Sequence, residues 1–217
     1  MIDDETLTQL KALTSGTRPL IVSDIDEVIL NFVQPFKDYL DHCGFVLRTE
    51  TYQLTGNVFP KGSDIPTAGP EVFKMLSHFF ETQHEWQDLV AGALPALDRL
   101  SEHFDIVLLT AMPHAHRNER IAFMRDIGVS FPILTVESDK GHSVAHLAYG
   151  RPGVVFIDDL AHNHESVATH APGTHLFQYM AFREFEGALP VPPLHTQYHE
   201  DWDVMERAIH KALGTSS

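Results

Sequence analysis

Pro19-Leu20-Ile21-Val22-Ser23-Asp24-Ile25-Asp26 decides the architecture. It is a short apolar run with β-branched residues that ends on an acid. Such a run has no polar face to turn to water, so it reads as a strand covered on both sides, as central strands of parallel sheets are. Three further runs share its form: Phe104-Asp105-Ile106-Val107-Leu108-Leu109-Thr110, Phe131-Pro132-Ile133-Leu134-Thr135-Val136 and Gly153-Val154-Val155-Phe156-Ile157-Asp158-Asp159. A weaker run from Thr174 to Tyr179 adds a fifth strand. Helical patterns lie between them: Ile121, Met124 and Ile127 before Gly128, then segments from Lys140 to Tyr149 and from Ala161 to His170. Strands alternating with helices predict an α/β fold, a doubly wound parallel sheet.

Working outward, Asp3 or Asp4 is placed to cap a first helix carrying Leu7, Leu10 and Leu13, with Gly16 as its stop. After the first strand the rhythm breaks. Phe32, Phe36, Tyr39 and Leu40 share one helical face, and Val72, Phe73, Leu76, Phe79 and Phe80 share another. The Gly- and Pro-rich stretch from Gly56 to Pro70 between them reads as loop. The expected organisation is a core of residues 1–33 and 100–217, interrupted by a mostly helical cap at 34–99. An insertion directly after the first strand sits over the carboxyl ends of the strands, where open α/β sheets bind ligands. The last stretch, Leu194 to Leu213, reads as a surface helix with Trp202, Met205 and Ile209 facing inward.

The 217 residues carry a formal charge of -15, and no basic run offsets it. Such a surface repels nucleic acid polymers. No apolar run approaches the roughly 18 residues needed to span a membrane. The start, Met1-Ile2-Asp3-Asp4-Glu5, has neither the basic residues nor the apolar stretch of a secretory signal, so a cytoplasmic location is expected. The one cysteine, Cys43, follows an apolar helix face and is expected to be a buried structural thiol. Fifteen histidines invite a zinc site, but His114/His116 and His162/His164 lack the helical i, i+4 spacing followed by a third ligand. His114 lies close enough to Thr110 to be a candidate pocket residue. Oligomeric state is not legible.

The strand ends carry the chemistry. The first delivers Asp24 and Asp26, the second Thr110, and the fourth Asp158 and Asp159. Lys140 stands at the start of the helix leading into the fourth. In a doubly wound sheet these ends converge on one crevice. A carboxylate there can act as nucleophile and form an aspartyl phosphate. Crowded aspartates repel one another and favour protonation or a bound cation, and Mg²⁺ takes oxygen ligands while bridging carboxylates to a substrate phosphate. Thr110 and the backbone N–H groups after it, with Lys140, supply donors and positive charge for phosphoryl oxygens.

In that order, these residues resemble the motifs of the haloacid dehalogenase-like superfamily of phosphohydrolases. The DxDx(T/V) motif is matched by Asp24-Ile25-Asp26-Glu27-Val28, the Thr-ended strand by Thr110, the helix-start Lys by Lys140, and the acidic pair by Asp158-Asp159. The resemblance covers roughly 17–33 and 101–180, and the insertion has the position of a C1-type cap. It implies that Asp24 attacks phosphorus and that Asp26 protonates the leaving oxygen and then activates water. It further implies that Thr110, the N–H of Ala111 and Lys140 hold the phosphoryl group. Asp24, Asp158 and the backbone carbonyl of Asp26 would hold Mg²⁺, with Asp159 as a further candidate ligand. The implied activity is a Mg²⁺-dependent phosphatase acting on a small phosphorylated metabolite. A phosphomutase using the same residues and a non-catalytic phosphate sensor are the alternatives. Two positions depart from the pattern: Glu27 stands where the family often has Gly, and Asn163 where many members place a further Asp.

Overall fold

The protein, seen as a computed structural model, is described over residues 1–13, 16–185 and 190–214. Its strands in chain order are β1 (Leu20–Ser23), β2 (Phe45–Leu47), β3 (Val58–Pro60), β4 (Asp105–Thr110), β5 (Ile133–Thr135), β6 (Val154–Asp158), β7 (His175–Gln178) and β8 (Gln197–Tyr198). Its α-helices are α1 (Asp4–Ala12), α2 (Val33–His42), α3 (Gly69–Glu81), α4 (Ala93–Ser101), α5 (Arg117–Asp126), α6 (Gly141–Ala148), α7 (Ala161–His170) and α8 (Trp202–Ala212). Six strands form one sheet in the order β5-β4-β1-β6-β7-β8, and all its pairings are parallel. The first strand therefore lies between β4 and β6, and the chain winds outward from it in both directions. In open α/β sheets, ligands bind at such a reversal, here the carboxyl ends beside β1.

The period-2 geometry of the strands sorts their side chains between two layers. Ile21, Ile106, Leu108, Val155 and Ile157 pack with residues of α4, α5 and α8 on one face. Leu20, Val22, Val107, Leu109, Val154 and Phe156 pack with Leu10 of α1, Val144 of α6 and Val167 of α7 on the other. Every position of β1 is fully buried. The uninterrupted apolar runs arise because both faces are covered. Asp3 caps α1, its carboxylate accepting from the Thr6 N–H at 2.7 Å.

A third cluster holds the insertion together. It joins Phe36, Tyr39 and Leu40 of α2 to Val72, Phe79 and Phe80 of α3, and the core loops contribute Met112 and Met180. Phe36 and Phe79 meet edge-on at 5.2 Å. The insertion is not helical throughout, because β2 and β3 form an antiparallel pair between its helices. Its last helix, α4, belongs by packing with the sheet: Ala93, Ala96, Leu97 and Leu100 join the cluster of β1 and α8.

Several expectations need correction. Phe73 is 64% exposed, turned away from the face that Val72 and Phe79 share. Cys43 is exposed rather than buried. It caps α2 at its C-terminus, past the buried Tyr39 and Leu40, where Gly44 at φ +87° turns the chain toward β2. The final helix begins only at Trp202, capped by Asp201, whose side chain accepts from the Val204 N–H. The residues before it supply the short edge strand β8. Trp202, Met205 and Ile209 do face inward, and the Trp202 indole donates to the Val28 carbonyl at 3.1 Å. Among the described residues no helix is long and apolar enough to cross a membrane.

Candidate active site

The carboxyl end of the sheet gathers Asp24, Asp158 and Lys140 into a buried cluster. Asp24 is the residue after β1, and its N–H donates to the Ile157 carbonyl of β6 at 2.8 Å. Asp158 ends β6 and pairs in register with Gln178 of β7. Lys140 is the N-cap of α6, arriving from beyond β5. Its ammonium lies 2.7 Å from Asp24 Oδ2 and 2.7 Å from Asp158 Oδ2, with no exposed surface. Asp158 is held further: its Oδ1 accepts from the Leu160 N–H and from the Asn163 amide, each at 2.9 Å. Asn163 thus acts on the cluster through a hydrogen bond rather than as an additional acid.

The electrostatics follow from burial. Desolvation pushes the Asp24 carboxyl up to about 7; Lys140 pulls against this and Asp158 adds to it. Burial alone would also raise Asp158, but Lys140 and then His164 outweigh it and hold that carboxyl low. Burial alone would lower Lys140, yet Asp158 and Asp24 raise it. Asp159 is raised well above the usual carboxylate range by burial and by its neighbours Asp158 and Asp24. One lysine therefore does not balance the acids around it.

Oxygens of Asp24, Asp158 and Asp159 lie within 4.8 Å of one another, the one such donor group among the described residues. An all-carboxylate set with surplus negative charge suits a hard, oxygen-seeking dication of the Mg²⁺ kind. The residues present fit such an ion. Asp159 does not cap α7; the N-cap there is Leu160, which makes no side-chain capping bond.

Asp26 is set apart from this cluster. Its Oδ1 accepts from Gln87 Nε2 at 2.9 Å and from both terminal nitrogens of Arg120 at 3.1 Å. Its Oδ2 accepts from Arg120 Nη2 at 3.2 Å and faces the Thr110 hydroxyl at 3.4 Å. Thr110 ends β4 and is buried, while Ala111 just after it is exposed. The spatial neighbours of Asp24 thus include Lys140 and Asp158, while Asp26 and Thr110 face each other. Arg120 and Gln87 carry no motif and are not legible as site residues in the sequence.

Three other residues, Glu27, His114 and His116, take roles the sequence did not indicate. Glu27 is 3% exposed, and it is the one non-glycine among the described residues with positive φ, at +62°. A left-handed backbone here explains why glycine suits this position. The Glu27 carboxylate accepts from the N–H groups of Phe32 and Val33 at the start of α2, at 2.8 and 2.6 Å, and of Phe182 at 2.6 Å. It is a staple between the insertion and the loop after β7. Glu27→Ala leaves these donors without their acceptor and is expected to cost about 2–4 kcal/mol, read from the denaturant midpoint. A cost below about 0.5 kcal/mol, the level of an ordinary surface change, would refute the staple.

His114 is engaged in a structural tie: its ring bonds Thr135 Oγ1 at 2.6 Å and Asp3 at 3.1 Å, linking α1 to β5. His116 instead reaches the insertion, 2.8 Å from the Ser77 hydroxyl.

No protein-family model and no curated protein matches the sequence. Solved structures do. A candidate HAD-hydrolase from Bacillus subtilis, bound to magnesium, superposes with a TM-score of 0.62 at 14% identity, over 89% of this chain and 99% of that one. A phosphonoacetaldehyde hydrolase-like protein from Oleispira antarctica gives 0.60 at 12% identity, over 92% and 94%. A candidate phosphoglycolate phosphatase from Lactobacillus plantarum gives 0.55 at 14% identity, over 88% and 99%. At such identities the likeness is one of fold.

Proposed function

We propose that this chain, which has the haloacid dehalogenase-like fold, is a Mg²⁺-dependent phosphatase that acts on a small phosphorylated metabolite through an aspartyl phosphate on Asp24. The observation that carries the proposal is the buried Asp24–Lys140–Asp158 cluster at the carboxyl end of the sheet, with Asp26 and Thr110 facing each other as a separate pair that follows β1 and ends β4. A structural ion pair can hold a fold together, but it has no need of several acids for one lysine at a crevice. Perturbed, mutually coupled acids at such a place mark a reactive site.

The chemistry divides among the residues in two steps. An Asp24 carboxylate oxygen forms a bond to phosphorus while the ester P–O bond breaks, and the proton of Asp26 goes to the departing alcohol oxygen. Water then attacks the aspartyl phosphate: its oxygen bonds to phosphorus, its proton returns to Asp26, and the Asp24–phosphorus bond breaks. Thr110 and the Ala111 N–H donate to the phosphoryl oxygens, and Lys140 holds positive charge beside Asp24 throughout. Asp24, Asp158 and the Asp26 carbonyl, with Asp159, would hold Mg²⁺, which offsets the charge of nucleophile and phosphate when bound.

The test is a panel of phosphate esters assayed for inorganic phosphate with Mg²⁺ and with excess chelator. Release from at least one ester, lost with chelator and regained on adding Mg²⁺, is expected. Equal release in both conditions would refute the metal requirement. No release from any ester, with Mg²⁺ and beryllofluoride still binding, would favour a phosphate sensor. Isomerisation of a sugar phosphate without net phosphate release would favour a mutase.

A further inference from the structure

Arg120 is wholly buried, yet its terminal nitrogens reach a single carboxylate, that of Asp26. Its Nε has no hydrogen-bond partner among the described residues. The neighbouring Arg117 is different, since its guanidinium ties α5 to the Ile133 carbonyl of β5. Arg18 likewise bonds backbone carbonyls of Ser101, Glu102 and Phe104, beside its ion pair with the Asp105 carboxylate. Both of those guanidiniums hold backbone carbonyls; the hydrogen bonds of Arg120 all go to one side chain. Asp26 has no need of that brace for solvation, because its side chain is 20% exposed against none for Arg120. Burying a guanidinium behind an acid that water already reaches is costly to a fold and useful to a site that must aim the acid.

The two oxygens of Asp26 are treated unequally. Oδ1 receives Gln87 and both terminal nitrogens of Arg120, which fills its acceptor sites. Oδ2 receives one guanidinium bond and looks toward Thr110. The anchored oxygen is Oδ1, and the oxygen presented to the phosphoryl site is Oδ2. Part of the clamp comes from the insertion. Phe80 of α3 lies 5.6 Å from the guanidinium carbon, and Gln87 sits in the segment that returns from the insertion to α4.

On the strength of the phosphatase reading above, we propose that Arg120 is the positioning residue of the acid–base group: it aims Asp26 Oδ2 at the leaving oxygen, with Gln87 as a second clamp. The consequence is specific. Proton donation matters in the first step only when the leaving group is a poor one, as in alkyl esters. A nitrophenolate leaves without a proton.

The experiment measures first-turnover rates with enzyme in excess, for 4-nitrophenyl phosphate and for the alkyl ester most rapidly hydrolysed in the panel. Arg120→Met is expected to slow alcohol release on the order of a hundredfold, while nitrophenolate release stays within about threefold. Arg120→Lys, which keeps the charge but not the fork, is expected to restore stability without restoring the ratio of the two rates. Equal losses on both esters, or a change in KM alone, would overturn the proposal and leave Arg120 a packing or binding group. Should Arg120→Met fail to fold, Gln87→Leu decides: it is expected to shift the ratio the same way by a smaller factor, and an unchanged ratio overturns the proposal. A wild-type protein that turns over neither ester refutes the phosphatase reading itself and the proposal with it.

Discussion

Asp24→Asn is expected to lose the proposed phosphatase activity on the order of 10⁴-fold or more while keeping the fold. The amide is nearly isosteric but cannot bond phosphorus as a carboxylate does. The stability consequence runs in the opposite direction. Burial pushes the Asp24 carboxyl up to about 7, far above its value of 3.8 in an unfolded chain. The folded state therefore binds that proton more tightly than the unfolded state. In the metal-free protein this acid favours folding less and less as pH rises from about 4 to about 7, and the loss remains above that. Asparagine has no proton to lose. The thermal midpoint of the variant is expected to gain on that of the wild type through this window. Activity falling while stability holds or rises is the signature of a strained functional acid. A variant that unfolds at pH 8 while the wild type stays folded would make Asp24 a structural residue.

Lys140→Met has the largest expected effect on stability. The ammonium lies within 2.7 Å of both Asp24 and Asp158, and all three side chains are nearly or fully buried. Removing it leaves buried carboxylates without their cation, which costs about 3–5 kcal/mol. The neighbouring acids raise the lysine's affinity for its proton, so its contribution is complete at neutral pH and is lost only in strong alkali. Activity is expected to fall with stability, since in the proposed reaction the same charge would stabilise the phosphoryl group. Added Mg²⁺ should raise the melting temperature of Lys140→Met by more than that of the wild type, because the surplus negative charge is greater. A loss under about 1 kcal/mol, the scale of an exposed pair, would show that solvent reaches the cluster.

The core was legible because its strands are covered on both faces. That makes Leu20–Ser23 and Val154–Asp158 continuous apolar runs, with acids at the ends where the sheet opens. Asp24, Thr110, Lys140 and Asp158 announce themselves through that contrast. Arg120 and Gln87 do not. Arg120 sits in an ordinary charged helical stretch, and its partner is 94 residues away. Gln87 is 61 residues from Asp26. Nothing local marks either. Glu27 was visible as a departure, but its meaning depended on the φ of +62° and on donors at the start of α2 and in the distant loop after β7. The β2–β3 pair was hidden because its strands are three residues each, too short for a period to register. Neighbouring residues do not set the directions of Cys43 and His114; the turn at Gly44 and the contact with Asp3 do.

The most direct test of the central claim is mass analysis of acid-quenched protein after mixing with 4-nitrophenyl phosphate and Mg²⁺. One phosphoryl group on the peptide containing Asp24, absent from Asp24→Asn, is the predicted result. Nitrophenolate release with no phosphoryl group on that peptide at any quench time, or with the group on another residue, would contradict it.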